Sequence, residues 1–296
     1  MKKSAVLLFT FCLAVSNSYA LEGGASSYPL GILTVMSGAV GAPGETGIYT
    51  YNKRIQLESL RDGQGDKQFP KAKGTIHAHA LRVVHTLEET ELLGGNVSVQ
   101  AALPYVKGDI DIPALGAYGY DDAAGMGDPL FGVLVSWVSP RYFQNVEFDL
   151  VEPWGKYRKG ALINPGNNAR ALYAAYAFSW FALPQVEVSS KISLNYSFEN
   201  DATNYQSGIQ LVADYGVNYR ISDAWLAGVG GYITTQLNDD EQFGKDVGNR
   251  TKNIKVGPQI GYAQTGWGVV AAYQKDVFAR NVGESNVLMI NTVVRF

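Results

Sequence analysis

The feature that most constrains this chain is strict alternation of apolar and polar residues over stretches too long for ordinary strands. From Val186, one face carries Val188, Ser190, Ile192, Leu194, Tyr196 and Phe198. Its opposite face carries Glu187, Ser189, Lys191, Ser193, Asn195, Ser197 and Glu199. Residues 204–221, 224–239 and 250–263 repeat the pattern. A period of two marks strands with one apolar side. Strands of soluble proteins centre on about 5–6 residues, whereas a tilted membrane-crossing strand needs about 9–11. Only 17% of the 296 residues are charged, against roughly 25% in soluble domains. The pattern therefore predicts an all-β transmembrane barrel with apolar side chains toward lipid and polar ones toward the lumen.

Twelve segments fit this reading, near 45–61, 74–88, 96–110, 126–139, 144–157, 168–182, 186–200, 204–221, 224–239, 250–263, 266–280 and 285–296. An even number is what an antiparallel bacterial barrel requires. Connections at 140–143, 183–185, 222–223 and 264–265 are short. Those at 62–73, 110–125, 158–167 and 240–249 are longer and rich in Gly and charge. Short periplasmic turns and longer outer loops are the expected asymmetry.

Residues 1–20 read as a secretory signal peptide: Lys2 and Lys3, an apolar stretch over 5–15, then Ser18-Tyr19-Ala20 as a small-x-small cleavage site. Cys12, the only cysteine, falls inside it, which leaves no disulfide, thiolate ligand or thiol nucleophile. Removing Lys2 and Lys3 leaves 22 basic residues against 27 acidic ones, a balance that excludes nucleic acid as an expected partner. The Gly-, Ser- and Pro-rich residues 21–44 are expected to be a periplasmic tail or a lumen plug, and residues 45–296 the barrel. At the other end Leu288, Ile290, Thr292, Val294 and Phe296 share a face, and a terminal aromatic on the last strand resembles the signal read by the barrel assembly machinery.

Further motifs carry a family resemblance. Residues 196–208 read Tyr-Ser-Phe-Glu-Asn-Asp-Ala-Thr-Asn-Tyr-Gln-Ser-Gly, followed by Asp214-Tyr215, residues 228–232 (Gly-Val-Gly-Gly-Tyr), Gln236, Asp239-Asp240 and Gly257-Pro258-Gln259. Upstream lie Tyr28-Pro29-Leu30-Gly31, Pro43-Gly44, Gly127-Asp128-Pro129, Trp137 and Asn164-Pro165-Gly166. Together they resemble the phenol meta-pathway degradation-like family of outer-membrane proteins, over most of the chain after residue 20 and most strongly from Tyr196 to Tyr262. The resemblance implies a Gram-negative outer-membrane protein that takes up small, aromatic or hydrophobic solutes, and it does not specify phenol.

The alternation places Arg54, Glu147, Asp149, Glu187, Lys191, Asn195, Glu199, Asp214, Arg220 and Lys255 on inward faces. Such charges either select solutes by charge or fill a narrow lumen with salt bridges. His77, His79 and His85 share one face of one strand; without an adjacent carboxylate they are expected to bind no metal. No nucleophile elbow is present, which counts against an outer-membrane hydrolase; that reading and a closed structural barrel are the alternatives to a channel. The expectation is a monomeric passive channel, not an enzyme, with no cofactor, whose partners are outer-membrane lipid, the assembly machinery and small solutes.

Overall fold

The computed structural model describes residues 30–296. The expected signal peptide, Cys12 and Tyr28-Pro29 lie outside the described residues. Twelve long strands are β1 (Thr46–Arg61), β3 (Lys73–Leu92), β4 (Gly95–Asp111), β6 (Leu130–Ser139), β7 (Tyr142–Val151), β8 (Ala171–Leu183), β9 (Val186–Ser197), β11 (Gln210–Arg220), β12 (Trp225–Gln236), β15 (Lys252–Gln264), β16 (Trp267–Arg280) and β17 (Gly283–Arg295). Each pairs antiparallel with its sequence neighbour among the twelve, and β17 pairs with β1 from Gly47↔Arg295 to Leu60↔Gly283. The sheet is thus a closed barrel, which leaves no edge strand to pair with another chain.

Closure explains the order of the connections. Tight hairpins join β3 to β4, β6 to β7, β8 to β9, β11 to β12 and β15 to β16 at one end. Leu93 and Gly94 both take positive φ, 54° and 73°, in the two-residue turn that lets β3 and β4 run on as a narrow ribbon. By the general asymmetry of such barrels this end is periplasmic. The opposite end carries the short strands: β2 (Lys67–Phe69), β5 (Tyr120–Met126), β10 (Tyr205–Gln206), β13 (Asp240–Gln242) and β14 (Lys245–Gly248). β10, β13 and β14 form a three-stranded sheet beyond the barrel rim. Its anchor is Asp240, which accepts hydrogen bonds from the Tyr205 hydroxyl, the Gln236 amide and, at 2.8 Å, Gly208 N–H.

Two expected strands are shorter than their alternation suggested. The segment near 144–157 ends at Val151, because Pro153 removes a ladder donor and the chain turns at Gly155. The segment near 204–221 is interrupted after Gln206 and resumes at Gln210, where Gly208 packs under Asn238 and Gln236 and leaves no room for a Cβ.

The barrel is inverted relative to a soluble protein. Its buried residues include Ser98, Gln100, Ser136, Asn145, Glu147, Ser179, Glu187, Ser193 and Asp214, while Leu172, Ile192, Leu194, Val217, Val229 and Ile260 are exposed. A water-soluble fold would pay heavily for such a surface; a lipid-embedded one requires it. At the periplasmic end Trp225, Tyr262 and Trp267 form an aromatic girdle, with ring centroids 4.8 and 5.5 Å apart, as expected where rings sit at the headgroup level. Leu194→Arg is therefore expected to destabilise the barrel by about 2–4 kcal/mol in urea titrations from lipid vesicles. Ser193→Arg, pointing the other way, should cost far less; equal costs would contradict the assigned faces.

Candidate functional site

The lumen is crossed by the segment before β1. Residues 30–41 have no regular secondary structure, so their backbone groups need partners from elsewhere. The barrel wall supplies them. Gly31 N–H and Leu33 N–H donate to the two carboxylate oxygens of Asp214 at 2.7 and 3.1 Å. Met36 N–H donates to Glu187 at 2.6 Å, and Gly38 N–H to the Ser179 hydroxyl at 3.0 Å. Carbonyls of the segment are met in turn by Lys53 at Leu30, by Gln274 at Gly31 and by Asn291 at Ile32. Asn218 reaches the Thr34 carbonyl, Asn145 reaches Ser37 and Gly38, and Thr86 reaches Gly41. The Thr34 hydroxyl donates to Gln259 at 2.6 Å.

These contacts come from nine of the twelve strands, so the segment is fastened around the circumference and not to one wall. Space for it is made by glycine. A Cβ on Gly216 would lie 1.9 Å from the Thr34 carbonyl oxygen, and one on Gly38 would lie 2.1 Å from the Phe143 carbonyl oxygen. Apolar packing adds to the polar contacts on one side, where Ile32 meets Tyr51, Ala272, Val287 and Met289.

Beside the segment lies a second layer of charge. Glu147 on β7 accepts from Lys191 Nζ at 2.7 Å and from Gln100 Nε2 at 2.9 Å, and Arg82 Nη2 stands 3.7 Å away. Gln100 Nε2 also donates to Asp149 at 2.5 Å. The Arg82 guanidinium is further held over the Tyr49 ring, 5.5 Å from its centroid. Lys191 and Glu147 side chains are 3% and 2% exposed, so this network is shielded despite its position in a barrel interior. Asn195 differs: both polar ends of its side chain are buried without a hydrogen-bond partner. Lys255 on β15 pairs with Asp276 and donates to the Ser285 hydroxyl at 2.9 Å.

Seven of the expected lumen residues, Glu147, Asp149, Glu187, Lys191, Asn195, Asp214 and Lys255, are buried on the inward face. Three are elsewhere. Arg54 is exposed on the outer surface, because in β1 the inward face is Tyr49, Tyr51, Lys53, Ile55 and Leu57. Here the apolar face packs on the lumen segment, and the rule that apolar means lipid-facing inverts. Glu199 lies past the end of β9, exposed, accepting from Asn204 at 2.9 Å. Arg220 ends β11 at the periplasmic rim with its guanidinium 4.9 Å from the Phe181 ring centroid. The sequence reading missed Lys53, Arg82, Gln100, Asn218, Gln259 and Gln274. For all but Lys53 the signal was a polar side chain facing the side opposite apolar neighbours; Lys53 shares its face with Tyr51 and Ile55.

The histidines also face outward, on β3. His79 Nδ1 lies 2.8 Å from Asn52 Oδ1 and His85 Nδ1 3.0 Å from the Thr46 hydroxyl. Among the described residues no group of His, Cys, Asp or Glu is arranged to hold a metal.

Toward the outer end the inner wall carries two apolar clusters among its polar residues. Leu130, Val151, Ala171 and Tyr173 form one cluster, and Leu60, Ala72, Ile110, Ile112 and Ile163 another that joins the outer loops to the strand ends. Below, a cavity of about 400 Å³ follows the lumen segment along Val35, Tyr51, Val84 and Leu134 toward Ser222 and Gln264 of the periplasmic turns.

A closed twelve-stranded barrel with an apolar outer band and a hydrogen-bonded polar interior defines an outer-membrane β-barrel protein. Residues 58–292 match the family described as MetA-pathway of phenol degradation, and the chain belongs to that family. No curated protein matches it. Among solved structures it is similar to the COG4313 outer membrane channel from Pseudomonas putida F1, with 16% identity, a TM-score of 0.78, and coverage of 88% of this chain and 98% of that one. A monoaromatic hydrocarbon channel, CymD, aligns with 10% identity and a TM-score of 0.47 over 86% of this chain and 89% of that one.

Proposed function

We propose that the protein is a passive outer-membrane channel for small apolar or aromatic solutes, with residues 30–41 as the element that closes and opens it. One observation carries this reading: the segment is held in the lumen mainly by side-chain hydrogen bonds from the wall. The neutral bonds contribute about 0.5–1.5 kcal/mol net each and those to Asp214, Glu187 and Lys53 about 1.5–3, a fastening that water can replace bond by bond. A segment meant only to seal the barrel would be served better by continuous apolar packing. The apolar clusters at the outer mouth supply a surface on which an apolar solute leaves water, and Glu147, Asp149, Glu187, Lys191, Asn195, Asp214 and Lys255 line the stretch it must then pass. The similar Pseudomonas putida protein is an outer membrane channel, in agreement with this role.

The non-enzymatic reading rests on the outward histidines. His79 is oriented by Asn52, as a catalytic base would be, but its cross-strand neighbours on that rung are Asn52 and Tyr105, neither a serine nor a threonine. Planar-bilayer conductance and toluene influx into proteoliposomes test the proposal. Toluene entry faster than through protein-free vesicles, with discrete conductance steps, is the expected result; neither signal from a folded barrel would remove it.

Assembly is proposed to depend on Phe296. Its backbone N–H and C=O exchange hydrogen bonds of 3.0 and 2.8 Å with Thr46, while its side chain is 70% exposed and contributes little packing. Deleting Phe296 is expected to reduce outer-membrane levels strongly and leave unassembled chain in the periplasm. Normal levels with unchanged heat-modifiable gel mobility would show that the residue is dispensable for assembly.

A further inference from the structure

The outer surface of β1, β3 and β4 breaks the apolar rule that the rest of the barrel follows. Arg54 stands directly opposite His77, and His77 directly opposite Lys107, so three basic residues occupy one rung of three adjacent strands. All three face outward: the alternate positions on these strands include the buried Lys53 and Arg82. Arg54 and Lys107 are exposed and His77 is half-buried. None of the three makes a hydrogen bond or ion pair with any described residue. A lipid-facing Arg or Lys carries a cost that the rest of the barrel surface avoids.

The height of the rung narrows the choice of partner. Arg54 is eight residues along β1 from Thr46, which is bonded to Phe296 at the periplasmic end. At about 3.3 Å per residue and a tilt of about 40°, that places it roughly 20 Å above the periplasmic end of β1, in the outer part of an apolar band about 25 Å tall. Long side chains here extend to the outer headgroup level. Polar residues lower on the same face behave differently, because they satisfy one another. Thr50 and Thr292 share a hydrogen bond of 2.8 Å, and Asn52 bonds to His79 at 2.8 Å and to the Ile290 carbonyl at 3.1 Å. One rung above the cations stand Gln56, Thr75 and Asp109. The Glu58 carboxylate beyond them is taken by Asn286 at 2.5 Å. Within this polar stripe Arg54 and Lys107 flank His77 with unanswered donors, and Asp109, one rung above Lys107, likewise has no ion pair.

We propose that this rung binds the phosphate groups of an outer-leaflet phosphoglycolipid of the lipid A type. The height matches where such phosphates lie, and the charge is complementary. Adjacent strands are about 4.8 Å apart, so the rung presents donors over a span of about 10 Å, with Arg54 suited to a bidentate phosphate contact. The proposal rests on the outer-membrane placement and not on conduction. It assigns Arg54 a reason to be retained on a face where it would otherwise be a liability.

The test compares the wild-type barrel with the triple variant Arg54→Gln, His77→Gln, Lys107→Gln, purified in detergent and titrated with bisphosphorylated lipid A, dephosphorylated lipid A and phosphatidylglycerol, with bound lipid read by native mass spectrometry. Wild type should bind the bisphosphorylated form about tenfold or more tightly than the dephosphorylated one, as the loss of one or two charge-assisted contacts implies. The triple variant should lose that preference while its conductance and heat-modifiable mobility stay unchanged. Should it fail to fold, Lys107→Gln alone is expected to weaken bisphosphorylated lipid A measurably and dephosphorylated lipid A not at all. Equal wild-type affinity for both forms of lipid A would overturn the proposal, as would a preference that survives the substitutions. Phosphatidylglycerol binding as tightly as lipid A would reassign the rung to any anionic phospholipid. A wild-type dimer that the triple variant converts to monomer would reassign it to a second copy of this chain.

Discussion

Gly216→Leu is expected to raise single-channel conductance several-fold without unfolding the barrel. The substituted side chain enters the lumen from β11, and even its Cβ would lie 1.9 Å from the Thr34 carbonyl oxygen and 3.1 Å from the Gln259 amide. The wall cannot retreat, because Gly216 pairs with Ser189 on one side and Gly230 on the other. The segment must move instead. Displacing Thr34 also removes its hydroxyl bond to Gln259 and its carbonyl bond from Asn218, and the neighbouring bonds to Asp214 then hold a strained loop. A twelve-stranded barrel relieved of its contents leaves a lumen, whereas about eight strands would be filled by their own side chains. Deleting residues 30–41 should reproduce the effect. If Gly216→Leu folds normally and conducts like wild type, residues 30–41 are not the barrier to permeation.

How far the sequence foretold this arrangement differs between the wall and its contents. Alternation located all twelve strands, because each must expose one side to lipid and the other to water, and the two sides demand different residues. It oriented β9, β11 and β15 correctly: Leu194, Val217 and Ile260 face out and Lys191, Asp214 and Lys255 face in. It failed at β1, whose inward Tyr51 packs on Ile32. Composition cannot say whether an apolar face meets lipid or a chain segment folded into the lumen. The segment itself was legible only as a choice between a periplasmic tail and a lumen plug, for a related reason. It has no periodicity, since its hydrogen bonds go to side chains scattered over nine strands that are distant in sequence; Gly31 and Asp214 are 183 residues apart. Gly31, Gly38, Gly216 and Gly230, each where a Cβ would come within 3.0 Å of the facing segment or wall, recorded the close approach, and glycine in a strand equally marks a bulge or a tight bend. The outer rung of Arg54, His77 and Lys107 was hidden too, because cross-strand neighbours depend on register.

Glu147 sets the second large effect, and its size reports on water in the lumen. Lys191, Arg82 and Gln100 converge on its carboxylate, so Glu147→Leu removes the anion that two buried cations share and leaves Asp149, which also accepts from Gln100, as the neighbouring carboxylate. Removing one partner of a buried ion pair costs about 3–5 kcal/mol, while replacing the whole pair by apolar groups of similar volume is often neutral. Urea unfolding from lipid vesicles should therefore show Glu147→Leu strongly destabilised. The double variant Glu147→Leu, Lys191→Met should recover much of the loss, with Arg82 still held by Gln100 at 2.5 Å and by the Tyr49 ring. A barrel interior flooded with water predicts otherwise, because exposed ion pairs contribute only about 0–1 kcal/mol. A loss below that level for Glu147→Leu would place the network on an open aqueous path. The larger loss would mean that the network braces the wall beside residues 30–41 and stays in place when the segment moves.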